Sequence, residues 1–254
     1  LTGSWVAFLD GDDSWEPRHL ERVAAAVQGD SDCDAVFAPL LRVDAFDVAI
    51  APEPPDATLM QLRSALADPA AARQGRLAWL PPTSGIACRL ECLRGAGPIP
   101  VEYRIAADGW IQVVLALRAR EILLLRDRTV RLRVHGENRW TGRAEFDIGL
   151  LEARRDLYGR LAAAAASLAA ADGTDAAGLV RALRAQAQEF AVWERIVRGE
   201  RAEAFRLARQ WSPSPAVASS FHRAFRRAHL LLATLIPTPL YLGLRGAWRP
   251  RQRP

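Results

Sequence analysis

Trp5-Val6-Ala7-Phe8-Leu9 is an unbroken apolar run that stops at Asp10-Gly11-Asp12-Asp13. No other feature of the chain limits its fold so tightly. A short apolar run of this kind is of strand length, and an Asp/Gly cluster is where a strand turns. Pro17 suits the first turn of a helix, and Leu20, Val23, Ala24 and Val27 follow at helical spacing. Asp34–Asp44 contains Ala35-Val36-Phe37-Ala38 and reads as a buried strand. Strand, turn, helix and strand in succession predict an α/β layered architecture.

The middle of the chain continues in short elements. The spacing predicts a helix over Ala57–Ala67, a turn-rich loop at Leu80-Pro81-Pro82-Thr83-Ser84-Gly85, a brief strand at Ile86–Cys88 and a helical turn or two at Leu90–Arg94. Asp108–Arg120 is helical by the recurrence of Ile111, Val114, Leu115 and Arg118, with Asp108 where an N-cap belongs. Ile122–Leu125 and Thr129–Val134 read as strands, and Gly136 ends the α/β part.

Beyond Phe146 the pattern is helical only: Leu150–Ala171, Asp175–Arg198 and Ala202–Trp211, followed by the Ser-Pro-Ser-Pro linker at 212–215. The expected organisation is therefore an α/β domain over 1–145, a helical extension over 146–211 and a basic, apolar tail over 212–254.

Charge is unevenly spread. Residues 1–60 hold twelve acids and three Arg, a net −9; the remainder sums to +14. From Phe205 to Pro254 there are nine Arg and no acid. A basic end suits an anionic partner, and an acidic start suits a cation. Leu230–Leu244 is mostly apolar, flanked by Arg223, Arg226 and Arg227 before it and Arg245, Arg249, Arg251 and Arg253 after it. It is shorter than the roughly 20 residues of a spanning helix and contains Pro237 and Pro239. Two readings fit: a segment over 223–253 lying in a membrane interface, or a buried helical pair closing the bundle. The Arg are not interleaved with stacking aromatics, which argues against nucleic acid as a partner.

Three cysteines without a regular framework argue against a secreted disulfide scaffold, and Cys88-x3-Cys92 lacks the second pair a zinc site needs. A cytoplasmic protein is expected, peripheral at the inner face of the membrane if the tail engages it. The chain opens on Leu, in what reads as a turn before a strand. The expectation is that the N-terminus has been cut away or that the gene sequence is truncated at its start.

Three carboxylates at the end of an apolar strand repel one another unless a cation lies between them. Ligands of open α/β sheets bind beyond the carboxyl ends of strands. Mg²⁺ or Mn²⁺, held by one or two carboxylates together with substrate phosphates, is the expected guest. Two plainer readings stand beside this one. Asp-Gly sequences make ordinary surface turns. Asp10, Asp12, Ser14 and Glu21 also imitate part of a calcium-binding EF-hand loop, although Trp15 stands where that loop requires Gly.

The segment Trp5–Glu21, an apolar strand, then Asp10-Gly-Asp12-Asp13, then Trp15-x-Pro17-x-x-Leu20, resembles the DxD segment of family-2 inverting glycosyltransferases of the GT-A type. The resemblance covers about residues 1–140 and implies a partial GT-A-like α/β fold with a C-terminal all-helical extension. It further implies a nucleotide-sugar donor whose diphosphate is held through a metal by Asp10 and Asp12, with Asp13 in support. The family also has an acidic residue opening a later helix, which takes the proton of the acceptor hydroxyl. Asp108, in Ala107-Asp108-Gly109-Trp110, holds that place, although the family more often shows Glu-Asp where this chain has Ala-Asp. The plainer reading of Asp108 is a helix cap, and one residue can serve both roles. Val130-Arg-Leu-Arg133-Val-His135-Gly-Glu-Asn138 resembles the family's closing strand and its R-x-H-x-x-N ending, with His135 near the metal; a lone His is otherwise a structural residue. Pro82-Thr83-Ser84-Gly85 resembles the loop on the acceptor side, and is also an ordinary turn sequence.

The implied function is metal-dependent transfer of a sugar, with inversion, to a glycan, lipid-linked or protein acceptor. The strands that hold the nucleotide in the family have no counterpart here, so this chain alone is expected to be weak or inactive. The rival reading is a non-catalytic module that binds a sugar or a partner.

Overall fold

The computed structural model describes residues 3–29, 32–50, 68–75, 82–103, 106–135, 146–212, 220–237 and 240–241. The expected helix at 57–67, Gly136, Asn138, most of the 212–215 linker and the chain after Tyr241 lie outside the described residues.

The fold is mixed α/β, with two small sheets and a set of helices. The first sheet has the order β1 (Trp5–Ala7), β5 (Ile86–Arg89), β3 (Cys33–Phe37), β6 (Glu121–Leu124). β5 runs antiparallel to both β1 and β3, whereas β6 is parallel to β3. Every residue of β3 is buried, as a central strand covered on both faces requires. The second sheet has the order β2 (Ser14–Trp15), β7 (Val130–Arg133), β4 (Leu40–Val43).

Two expectations are corrected here. The single strand over Asp34–Asp44 is two strands in different sheets, broken at Ala38-Pro39, where Pro cannot donate to a ladder. The strand before the acidic turn is shorter than Trp5–Leu9 and only half-buried, because β1 pairs on one side alone and Leu9 is 47% exposed.

The helices are α1 (His19–Gly29), α2 (Pro69–Arg73), α3 (Leu90–Arg94), α4 (Ala107–Arg118), α5 (Ile148–Asp172), α6 (Ala177–Val197), α7 (Arg201–Gln210) and α8 (Ser220–Leu235). α4 is apolar almost all round, from Trp110 to Leu117. A helix with no polar face is buried between layers, and α4 lies in one core with sheet residues Phe37 and Ile86 and extension residues Leu161, Ala165 and Leu179. The Asp147 carboxylate caps α5 by accepting from the Leu150 N–H, and Gly173 closes it at φ 65°. A second core joins α6, α7 and α8 through Val192, Trp193, Ala204, Trp211 and Leu230.

Gly178 shows how closely the extension meets the α/β layers. A Cβ built on it would lie 2.3 Å from the Gln74 carbonyl carbon, far inside the ~3.5–4.0 Å optimum for two carbons. Gly→Ala within a helix ordinarily gains about 0.5–1 kcal/mol. Here the backbone of 74 must move, and forced repacking costs about 1–3 kcal/mol. Gly178→Ala is therefore expected to lower the urea midpoint of unfolding. A raised midpoint would show that the contact is loose.

Candidate functional site

The acidic turn is closed by its own backbone, the Asp13 N–H donating to the Asp10 carbonyl at 3.2 Å, with Gly11 at the first inner position. Three neighbours hold it in place. The Asp10 N–H donates to Ser84 Oγ at 3.0 Å, and Ser84 Oγ donates to Asp13 Oδ2 at 2.6 Å. Trp15 Nε1 donates to the Ser84 carbonyl at 2.9 Å. From β7, the Arg133 N–H donates to Asp13 Oδ1 at 2.9 Å and Arg133 Nε to the Asp12 carbonyl at 3.1 Å. The loop before β5, the turn after β1 and the end of β7 thus meet at one point.

These bonds divide the acids by role. Both Asp13 oxygens are engaged within the protein, so Asp13 braces the turn. Its pKa is raised by burial, against the lowering effect of the Ser84 and Arg133 hydrogen bonds. Asp12 Oδ2 lies 3.0 Å from His135 Nε2, which places His135 at the turn. Asp10 differs: no hydrogen bond reaches its carboxylate among the described residues. Its pKa is raised by burial first, then by the charges of Asp13, Asp12 and Asp108.

Asp108 is thereby within electrostatic reach of Asp10, although 98 positions separate them in the sequence. It is not the N-cap. Ala106 occupies that position, and Asp108 stands in the first turn of α4, where its Oδ1 accepts the Gly109 N–H at 2.8 Å. An acid in a first helical turn also meets the positive end of the helix dipole. Burial nevertheless raises the Asp108 pKa, while the side chain keeps some exposure to solvent.

Part of the packing around Asp108 comes from α5, which the sequence did not point to. A Cβ on Gly109 would lie 3.1 Å from Leu161 Cδ1. One turn away on α5, the Tyr158 phenol is close enough to feel the charge of Asp108, and its ring stacks on Phe190 at 5.6 Å. No local motif could have announced this, because α4 and α5 are joined only by tertiary packing.

The residues expected on the acceptor side separate. Ser84 is fully buried and its hydroxyl is used in the brace; Gly85 is also buried. Pro82 and Thr83 keep some surface. Among the described residues no group of three or more His, Cys, Asp or Glu side chains is placed to hold a metal ion, so Asp10, Asp12 and His135 do not form a preformed cage. The donors nevertheless fit a hard cation that protein holds through one or two carboxylates and substrate phosphate completes. Asp10 is the group that satisfies this test, being an acid with like charges around it and no donor.

No family model matches the chain. It is similar to a protein of Nostoc sp. named as an uncharacterized glycosyltransferase, with 39% identity over 140 residues, 54% of this chain. The chain spans about two fifths, 41%, of that relative's length. Over just more than half its length, the chain is thus similar to a protein named as a glycosyltransferase.

Proposed function

We propose that this chain carries the metal–diphosphate and base side of a nucleotide-sugar-dependent, inverting glycosyltransferase with a GT-A-like catalytic domain. The observation that carries the reading is the state of Asp10: an acid whose carboxylate receives no hydrogen bond among the described residues, with the charges of Asp13, Asp12 and Asp108 all acting on it. Such uncompensated charge favours a bound cation. The likeness to a relative named glycosyltransferase supports the same class.

Asp10 and Asp12 would hold Mg²⁺ or Mn²⁺, with His135 orienting Asp12 through their 3.0 Å contact. When bound, the cation supplies charge stabilisation to the departing nucleoside diphosphate. Asp13, Ser84, Trp15 and Arg133 keep the turn rigid, so the two carboxylates are positioned before the donor arrives. Asp108 takes the proton from the acceptor hydroxyl as its oxygen attacks the anomeric carbon. The raised pKa of Asp108 makes it a stronger base than an exposed carboxylate. The acceptor is a glycan, lipid-linked or protein hydroxyl.

Calorimetry on the full-length protein tests the cation site. A nucleoside diphosphate is expected to bind with Mn²⁺ present and to lose most of its affinity after chelation. Asp10→Asn is expected to weaken Mn²⁺-dependent binding by about tenfold or more, the loss of one charged ligand. Binding that ignores both Mn²⁺ and the Asp10 substitution would overturn the proposal.

A further inference from the structure

Helix α8 carries two faces. Leu230, Ala233 and Thr234 are buried toward the helical bundle. On the opposite side Phe225 is 60% exposed, Leu232 56% and Leu235 65%, with exposed Ala228 between them. At about 100° per residue, positions 225, 228, 232 and 235 fall on one narrow stripe. Leu240 adds a further exposed apolar side chain just beyond the helix. Monomeric proteins leave single apolar residues exposed as a matter of course, but a continuous stripe marks a contact surface.

The charge around the stripe identifies what covers it. From Phe205 to the end the sequence has nine Arg and no acid. Exposed Arg227 flanks the stripe, and its Nη2 donates to the carbonyl of Arg209, itself an exposed residue on α7. Arg226 is compensated by Glu189 at 2.7 Å. A second copy of this face would bring like charges together, which is costly. A nucleic acid would satisfy the Arg and leave the apolar stripe wet. An anionic lipid surface satisfies both, since acyl chains take the apolar side chains and headgroups take the Arg. No helix among the described residues is long and apolar enough to cross a membrane; with one face packed on the bundle and the apolar stripe on the other, α8 could meet such a surface only by lying along it.

We propose that α8 seats this protein on anionic membranes through Phe225, Leu232 and Leu235, with Arg227 and Arg209 at the headgroups. This does not depend on the transferase reading, and it needs no contact with the acidic turn. The membrane would hold the bundle, and through it the α/β layers, beside an interface.

The test is flotation of the full-length protein with vesicles of phosphatidylglycerol and phosphatidylcholine, set against phosphatidylcholine alone. The protein is expected to float with the anionic vesicles and to be released as salt is raised. The double variant Phe225→Ser, Leu232→Ser, whose side chains are more than half exposed and so spare the core, is expected to lose at least tenfold in partitioning. Its unfolding temperature should match the parent's. Equal flotation of the double variant overturns the proposal, as does absence of flotation by the parent. A parent dimer dispersed by the double variant without any vesicle binding assigns the face to a second copy. Tighter binding to duplex DNA than to vesicles, unchanged in the double variant, assigns it to nucleic acid.

Discussion

Asp108→Asn in the full-length protein is expected to lower kcat by about 10²- to 10⁴-fold, the range of a positioned general base, while Mn²⁺-dependent donor binding persists. Asn keeps the shape and can still accept the Gly109 N–H, as Asp108 Oδ1 does at 2.8 Å, so the α4 terminus should hold. What Asn lacks is an oxygen that can take a proton. If Asp108 were only a helix-terminal residue, the same substitution would leave turnover near normal, and that outcome would sink the assignment. A pH profile adds a second readout. The base works deprotonated, so activity falls as pH drops through its folded pKa. Burial raises that pKa above the ordinary aspartate value near 4, so the acidic limb of kcat/KM should lie above that value. In the variant this limb should vanish from what activity remains.

The acidic turn, the helix after it and the later strands were legible because each rests on local pattern. Asp10-Gly11-Asp12-Asp13 is a turn sequence, and α1, α4, α5, α6 and α7 begin and end within a few residues of where their periodicity places them. Roles that depend on distant partners were not legible. The sequence places Asp13 in support of Asp10 and Asp12 and Ser84 on the acceptor side, but gives no sign that their side chains bond to each other. Ser84 gives no sign in sequence that its hydroxyl will be buried against a turn 71 positions earlier. Asp108 looked like a cap because an acid preceded an apolar run, yet the helix begins earlier, with Ala106 at the N-cap position and Asp108 already inside the first turn. The sequence joins the apolar run at Leu230–Leu244 to the Arg before it, but does not say which of its side chains are covered. In the structure Arg226, Arg227 and Leu230–Leu235 share one helix, and the alternation of its faces decides which apolar residues are covered.

Asp34 carries the largest expected effect on stability, and it acts on the same site from a distance. The sequence reads it as the first residue of a strand. In the structure its residue is only 4% exposed, and it sits where the β3–β6 register shifts between Cys33 and Ala35. Its carboxylate accepts from the Arg120 N–H at 2.9 Å and from Arg120 Nε and Nη2 at 3.0 and 2.9 Å, and pairs with Arg89 Nε at 3.1 Å. Burial alone would raise its pKa, but the Arg120 and Arg89 contacts outweigh it and hold the carboxyl below its ordinary value. Asp34→Ala removes these bonds together and strands the Arg120 N–H. Breaking a buried pair costs about 3–5 kcal/mol; because both Arg retain solvent contact and can rehydrate, about 2–4 kcal/mol is expected for Asp34. Asp34→Asn should cost less, since its amide oxygen can still accept the backbone N–H. The sign with pH follows from the depressed pKa. The stabilisation is complete above the unfolded pKa near 4 and fades as pH falls through the lower folded value. Urea unfolding of parent and Asp34→Ala should therefore differ most at neutral pH and converge in acid; equal midpoints at pH 7 would refute the pairing as a source of stability. The consequence reaches the site because β3 passes directly into it. The Ala38 N–H donates to the Gly85 carbonyl at 2.8 Å, beside Ser84, so a sheet loosened at Asp34 also loosens the brace that aims Asp10 and Asp12.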